Sequence, residues 1–152
     1  VVIINLVNFF INRKLKKIVE NIAVIDGADD GVEFFGGTVS VTNLYLENNE
    51  DDAVDWTEGW NGAVTNTYVY HTIPNFSTAI EADGVNGNPT IENFTAVSET
   101  GGIALQFKAQ SGATIIGLSL SGCSPINGMA YPCWLEMNFV LTNSLEKDGF
   151  LF

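Results

Sequence analysis

Basic residues are almost missing from the body of this chain. Between positions 18 and 107 there are fifteen acids and no Lys or Arg. The whole sequence of 152 residues has 6 Lys and Arg against 18 Asp and Glu, a formal charge of −12. Four of those six cations, Arg13, Lys14, Lys16 and Lys17, lie together before position 18. Such a surface repels polyanions, which argues against nucleic acid or an anionic membrane as partner. Long apolar runs are also missing. The opening VVIINLVNFFI is eleven residues interrupted by two Asn, too short and too polar to span a bilayer. Its positive charge, RKLKK, follows the apolar run, whereas a secretory leader carries it in front. Histidine occurs once, at His71, and cysteine twice, at Cys123 and Cys133, with no C-x-x-C or Cys/His pattern. A disulfide between the two cysteines is expected, with two free buried thiols as the alternative.

What remains is a chain of one-domain length with 46% apolar residues, only 16% charged and 15 Gly, a composition suited to a folded β-rich protein and not to disorder. Its organisation is periodic. Asn21, Asn43, Asn66, Asn93 and Gly117 are spaced by 22, 23, 27 and 24 residues. Two places before each stands Val19, Val41, Val64, Ile91 or Ile115, and three places after stands Val24, Leu46, Val69, Ala96 or Leu120. Downstream, Val32, Val54, Ile80 and Leu105 form another column, followed two places on by Phe34, Trp56, Ala82 and Phe107. Within a unit, apolar and polar residues alternate in short runs rich in Val, Ile and Thr, the pattern of strands. Asn and Gly at the junctions tolerate the left-handed backbone of a sharp bend.

Three short strands per repeat with no helical stretch between them predict an all-β chain, a right-handed parallel β-helix of about five coils. Asn21, Asn43, Asn66 and Asn93, stacked at the ~4.8 Å strand spacing, are expected to hydrogen-bond from coil to coil as a ladder. Asn49, outside that column, reads as a surface residue. The expected organisation is a cap or subunit-exchange arm over 1–17, the solenoid over 18–122, and an irregular or capping segment over 123–152.

The repeat is written most plainly in DDGVEFFGG (29–37) and DDAVDWTEGWNG (51–62). These phrases, and the chain from about Ile18 to Gly122, resemble uncharacterised secreted bacterial proteins of the pectate-lyase-like β-helix superfamily. The resemblance implies the β-helix fold and an extracellular or cell-surface setting, and brings no established activity. Lyases of that superfamily typically set an Arg or Lys base beside calcium-binding carboxylates, and polygalacturonase-like hydrolases carry a Gly-His-Gly segment. Here the solenoid body holds only Lys108 as a cation, and Gly-His-Gly is absent.

Alternation points Phe34, Trp56 and Phe107 inward and Glu33, Asp55, Glu81 and Gln106 outward in register. Asp29, Asp30, Asp51 and Asp52 form a dense group of hard oxygen ligands that invites Ca²⁺, against the plainer reading of a solvated acidic face. Phe35 and Trp60 fall at corners, where exposed rings would stack on a sugar; buried corner packing is the equal alternative. His71 reads as a turn histidine. Along residues 1–18, Ile3, Val7, Phe10, Ile11, Leu15 and Ile18 roughly share one helical face, yet the same run also reads as strands. In the strand reading it is an assembly arm, with Arg13, Lys14, Lys16 and Lys17 meeting a neighbour's acidic wall at Glu33, Asp55 and Glu81. The expected function is a non-enzymatic extracellular structural protein that polymerises head to tail. The alternatives are a carbohydrate-binding module and a polysaccharide lyase or hydrolase.

Overall fold

The computed structural model describes residues 18–122, apart from positions 75, 86 and 109, together with the backbone course of 135–141 and 150–151. Cys123, Cys133 and the arm residues Ile3, Val7, Phe10, Ile11, Arg13, Lys14, Lys16 and Lys17 lie outside these residues.

The chain winds as a parallel β-solenoid. Each coil contributes one long and one short strand: β1 (Ile18–Ile25) and β2 (Val32–Phe35), β3 (Ser40–Glu47) and β4 (Val54–Thr57), β5 (Ala63–His71) and β6 (Thr78–Ala82), β7 (Thr90–Ser98) and β8 (Ile103–Phe107). A further long strand, β9 (Ala113–Ser121), begins a fifth coil, so among the described residues four coils are complete and a fifth is begun, against an expected number of about five. The long strands stack in the order β1-β3-β5-β7-β9 and the short ones in the order β2-β4-β6-β8. All pairings within these two stacks are parallel.

The Asn column explains how two ladders hold three straight segments per coil. Asn21, Asn43, Asn66 and Asn93 have φ of 59°, 59°, 57° and 53°, and Gly117 has φ of 70°. A left-handed residue inside an extended run turns the chain through a corner. Each long strand is therefore bent, and its register is interrupted at the Asn, as between Glu20↔Thr42 and Ile22↔Leu44. The amides form the expected ladder: Asn43 donates to Asn21 at 2.9 Å, Asn66 to Asn43 at 3.0 Å and Asn93 to Asn66 at 3.1 Å. These amides are exposed, however. Asn49, expected on the surface, is the buried one, with its Oδ1 accepting from the Gly27 N–H at 3.3 Å. It sits inside the turn between β3 and β4, where the backbone of the previous coil leaves an N–H to satisfy.

Inward columns stack like on like, as coil repetition requires. Val32, Val54, Ile80 and Leu105 are all buried, as are Phe34, Trp56, Ala82 and Phe107. Trp56 meets Phe107, two coils away, edge to face with centroids 5.9 Å apart. The small Ala82 of the coil between leaves room for that contact. At the far end, β10 (Leu135–Leu141) pairs antiparallel with β9, and β11 (Phe150–Leu151) pairs antiparallel with β8. The direction of the ladder reverses there and the parallel stack stops. At the near end β1 and β2 are the outermost strands of their sheets among the described residues.

Candidate functional site: the acidic face

The outward side of the short strands carries Glu33, Asp55, Glu81 and Gln106 in register, one per coil. Alternation places them there because Val32 and Phe34, and their equivalents in later coils, take the inward positions. Just upstream, the loops before β2 and β4 bring further acids to the same side. Carboxylate oxygens of Asp29, Asp30 and Asp51 come within 4.8 Å of one another, as do those of Asp30, Glu33 and Asp55.

Asp52, the fourth residue of the expected calcium group, is not part of either cluster. It is buried, and its Oδ1 accepts from the Thr78 N–H at 2.8 Å and the Thr78 hydroxyl at 2.7 Å. This carboxylate fastens one coil to the next and has no oxygen to spare at Oδ1. Asp30 is in turn held by the Asp52 N–H, at 3.0 Å.

Asp55 is the unusual group. It is 8% exposed, and its Oδ1 is buried without a hydrogen-bond partner. Desolvation first, then the charges of Glu81, Asp30, Glu33 and Asp52, push its pKa up to about 8. Burial also raises Asp30 to about 6, against the Asp52 N–H and with the charges of Asp52, Asp29 and Asp51. Asp52 reaches about 6 by burial, partly offset by Thr78. Glu33 is raised by desolvation and by Asp30. Crowded carboxylates in a poorly solvated place favour either protons or a cation.

The set fits Ca²⁺. That ion takes 6–8 oxygen ligands, carboxylates and waters among them. Asp30, Glu33 and Asp55 offer three carboxylates from two successive coils, one with an unsatisfied buried oxygen. Bound calcium would supply the positive charge that this corner lacks and hold Asp55 ionised. The spacing of the acids in sequence pointed to 29, 30, 51 and 52. Only the inter-coil register brings Glu33 and Asp55 to Asp30.

Catalytic groups are poorly represented here. Lys108 lies 2.7 Å from Glu81 and 3.6 Å from Asp83. Desolvation pulls its pKa down, but the hydrogen bond and charge of Glu81, with Asp83 and Asp55, outweigh it and raise the ammonium. A lysine held protonated is a poor general base. His71 does not sit in an exposed turn but ends β5 facing the core: it is fully buried, packed on Phe76 with centroids 3.8 Å apart, and neither ring nitrogen has a partner. Desolvation lowers it to about 4.

Of the two aromatic residues expected at the corners, Phe35 is 53% exposed. Trp60 is fully buried and is corrected to a core residue. Left-handed Glu58 and Gly59 make a tight turn closed by the Trp60 N–H on the Thr57 carbonyl at 3.2 Å. That turn tucks the indole inward, where it stacks on Phe34 at 4.0 Å and donates to the Val39 carbonyl at 2.9 Å. Besides Phe35, the outer surface carries aromatic rings on the long strands. Tyr45 and Tyr68 stack across β3 and β5, centroids 6.0 Å apart. The alternation of Leu44, Tyr45 and Leu46 could have disclosed an outward Tyr column.

Residues 12–124 match the family model described as a pectate-lyase like beta helix domain. No curated protein and no solved structure matches the chain.

Proposed function

We propose that this chain, which belongs to the pectate-lyase-like β-helix family, is a non-enzymatic structural subunit of an extracellular surface assembly. One observation carries the reading: the solenoid is closed at one end by antiparallel strands, while β1 and β2 are outermost at the other among the described residues. An open strand edge is a template for a neighbouring chain. Residues 1–17, with their apolar run and four cations, are the segment through which copies join head to tail, a contact that propagates instead of closing. The acidic face supports the non-enzymatic part of the reading. Its neighbouring cation is engaged by Glu81 and Asp83, and the single histidine is buried against Phe76.

Calcium belongs to the same reading as a coil-to-coil fastener at Asp30, Glu33 and Asp55, favoured by the unpartnered Asp55 oxygen. Two assays test the proposal together. Purified chain is incubated with polygalacturonate and with neutral glycans between pH 4 and 9, with calcium and with chelator, and released reducing ends and unsaturated products are followed. Sedimentation is measured for the full chain and for one lacking residues 1–17. No product, with self-association lost on deletion, supports the structural role. Steady turnover that Lys108→Ala or Asp55→Asn abolishes would move the chain to the polysaccharide-active alternative.

A further inference from the structure

The acidic wall first expected to receive the basic run is badly suited to it. Asp55 is buried, and Glu81 is already paired with Lys108. A different surface, on the outer side of the long strands, has the missing properties. Tyr45, Tyr68, Thr95 and Ser119 occupy one outward column in consecutive coils. Tyr68 stacks on Tyr45 with an interplanar angle of 9°. Its other face therefore looks over Thr95 and Ser119, where side chains are short. The ring is 43% exposed and forms a step above a shelf.

The step is framed by negative charge. The Tyr70 hydroxyl donates to Glu99 Oε1 at 2.6 Å, and the Tyr45 hydroxyl donates to Glu47 Oε2 at 2.7 Å. The hydroxyls of Tyr45 and Tyr70 thus hold two carboxylates among the tyrosine rings beside Tyr68. No Lys or Arg occurs from 18 to 107 to answer this charge. An open aromatic face flanked by fixed carboxylates suits an ammonium or guanidinium group, by cation–π attraction and ion pairing together.

We propose that the Tyr68 step, with Glu99 and Glu47, is the docking site for the basic run Arg13–Lys17 of a second copy of this chain. The inference rests on the assembly reading above and names its acceptor site. Charge complementarity selects this occupant, since that run holds four of the six cations in the sequence. The run supplies a cation for the open Tyr68 face and further cations for the carboxylates. The run precedes β1 at the open end of one copy and its acceptor is a sheet face of the next, so the contact is heterologous and propagates while the antiparallel end of the solenoid stays uninvolved.

The test is a complementation between two full-length variants. In one, Tyr68→Thr repeats the residue that the next coil uses at Thr95 and removes the step. In the other, Arg13, Lys14, Lys16 and Lys17 are each changed to Gln, removing the plug. Thermal melts of both should match the parent, since Tyr68 is an exposed strand position. Each variant alone should sediment as a monomer, and an equimolar mixture should give a dimer that grows no further, since it has one intact plug and one intact step. A peptide of residues 11–18 should bind the parent chain about tenfold more tightly than the Tyr68→Thr variant, and 0.5 M salt should weaken it. Assembly of Tyr68→Thr alone, or equal peptide binding to both chains, overturns the docking site while leaving self-assembly intact. A mixture that stays monomeric also overturns it, since the run then docks on its own chain or nowhere. A parent chain that never associates, yet binds the peptide through Tyr68, overturns the second-copy occupant and the assembly reading together.

Discussion

The side-chain amide of Asn43 donates to Asn21 Oδ1 at 2.9 Å, and both residues hold φ at 59°. Two effects are thus combined at each corner: a left-handed backbone and an exposed inter-coil hydrogen bond. Gly117 separates them, because it takes the fifth corner at φ 70° with no side chain. The backbone requirement is the larger effect. Asn43→Gly should cost a few tenths of a kcal/mol to about 1 kcal/mol, and Asn43→Ala about 1–2 kcal/mol. Asn49→Ala should cost about 1–3 kcal/mol, because it leaves a cavity at a buried site and strands the part-buried Gly27 N–H. Urea unfolding of the three variants decides the order. A Gly variant as damaged as the Ala variant would put the ladder bond ahead of the backbone.

Stability should fall with pH in chelator. Asp30, Asp52 and Asp55 have folded pKa values raised to about 6, 6 and 8 from 3.8. The folded state therefore holds more protons than the unfolded one across that window, and stability declines as pH rises through it. His71 works the other way, since its folded pKa is lowered to about 4 from 6.5, so its contribution is lost as pH falls. With Glu33 also raised, four carboxylates against one histidine leave a net decline from about pH 4 to 8. Asp55→Asn should flatten the part between about pH 6 and 8 and raise the melting temperature at the upper end. A flat parent profile in chelator would show that the acidic corner is better solvated than its burial implies.

Calcium should reverse that decline. Binding to the folded state alone raises the melting temperature with ligand concentration, and displacement of the Asp55 proton makes the gain larger at pH 8 than at pH 5. Glu33→Gln should remove most of the response. Asp51→Asn, in the exposed cluster, should leave it nearly intact. An equal response in both variants would place the ion at the exposed cluster or spread it over the face.

Gly62 marks where two coils touch. A Cβ there would lie 2.5 Å from Trp60 Nε1 and closer still to the Val39 carbonyl oxygen. Gly62→Ala should therefore cost about 3 kcal/mol or more, by forcing the Val39 carbonyl away and with it the indole hydrogen bond that this carbonyl accepts. Gly37→Ala, with nothing within 4 Å but φ at 77°, should cost only about 1–2 kcal/mol. Equal losses in calorimetric melts would mean that the coil edge yields.

Much of this architecture was legible because a solenoid writes its register in its sequence. The Val19–Val41–Val64–Ile91–Ile115 column is a spatial stack, residue for residue. Alternation likewise placed Phe34 and Trp56 inside and Glu33 and Glu81 outside. Corners were not legible, because period two carries no direction there. Trp60 turns inward after Glu58 and Gly59, and Asn49 is drawn in by a backbone N–H. Asp55 followed the alternation but lost its solvent to neighbouring acids, which one strand considered alone does not disclose. The outward Tyr column was within reach of the same alternation, since Tyr45 and Tyr68 stand one repeat apart between inward-facing residues.

Electron microscopy of the purified full-length chain at increasing concentration tests the central claim most directly. The account predicts filaments or growing linear oligomers that vanish when Arg13, Lys14, Lys16 and Lys17 are neutralised. A chain that stays monodisperse and monomeric at every concentration would contradict it.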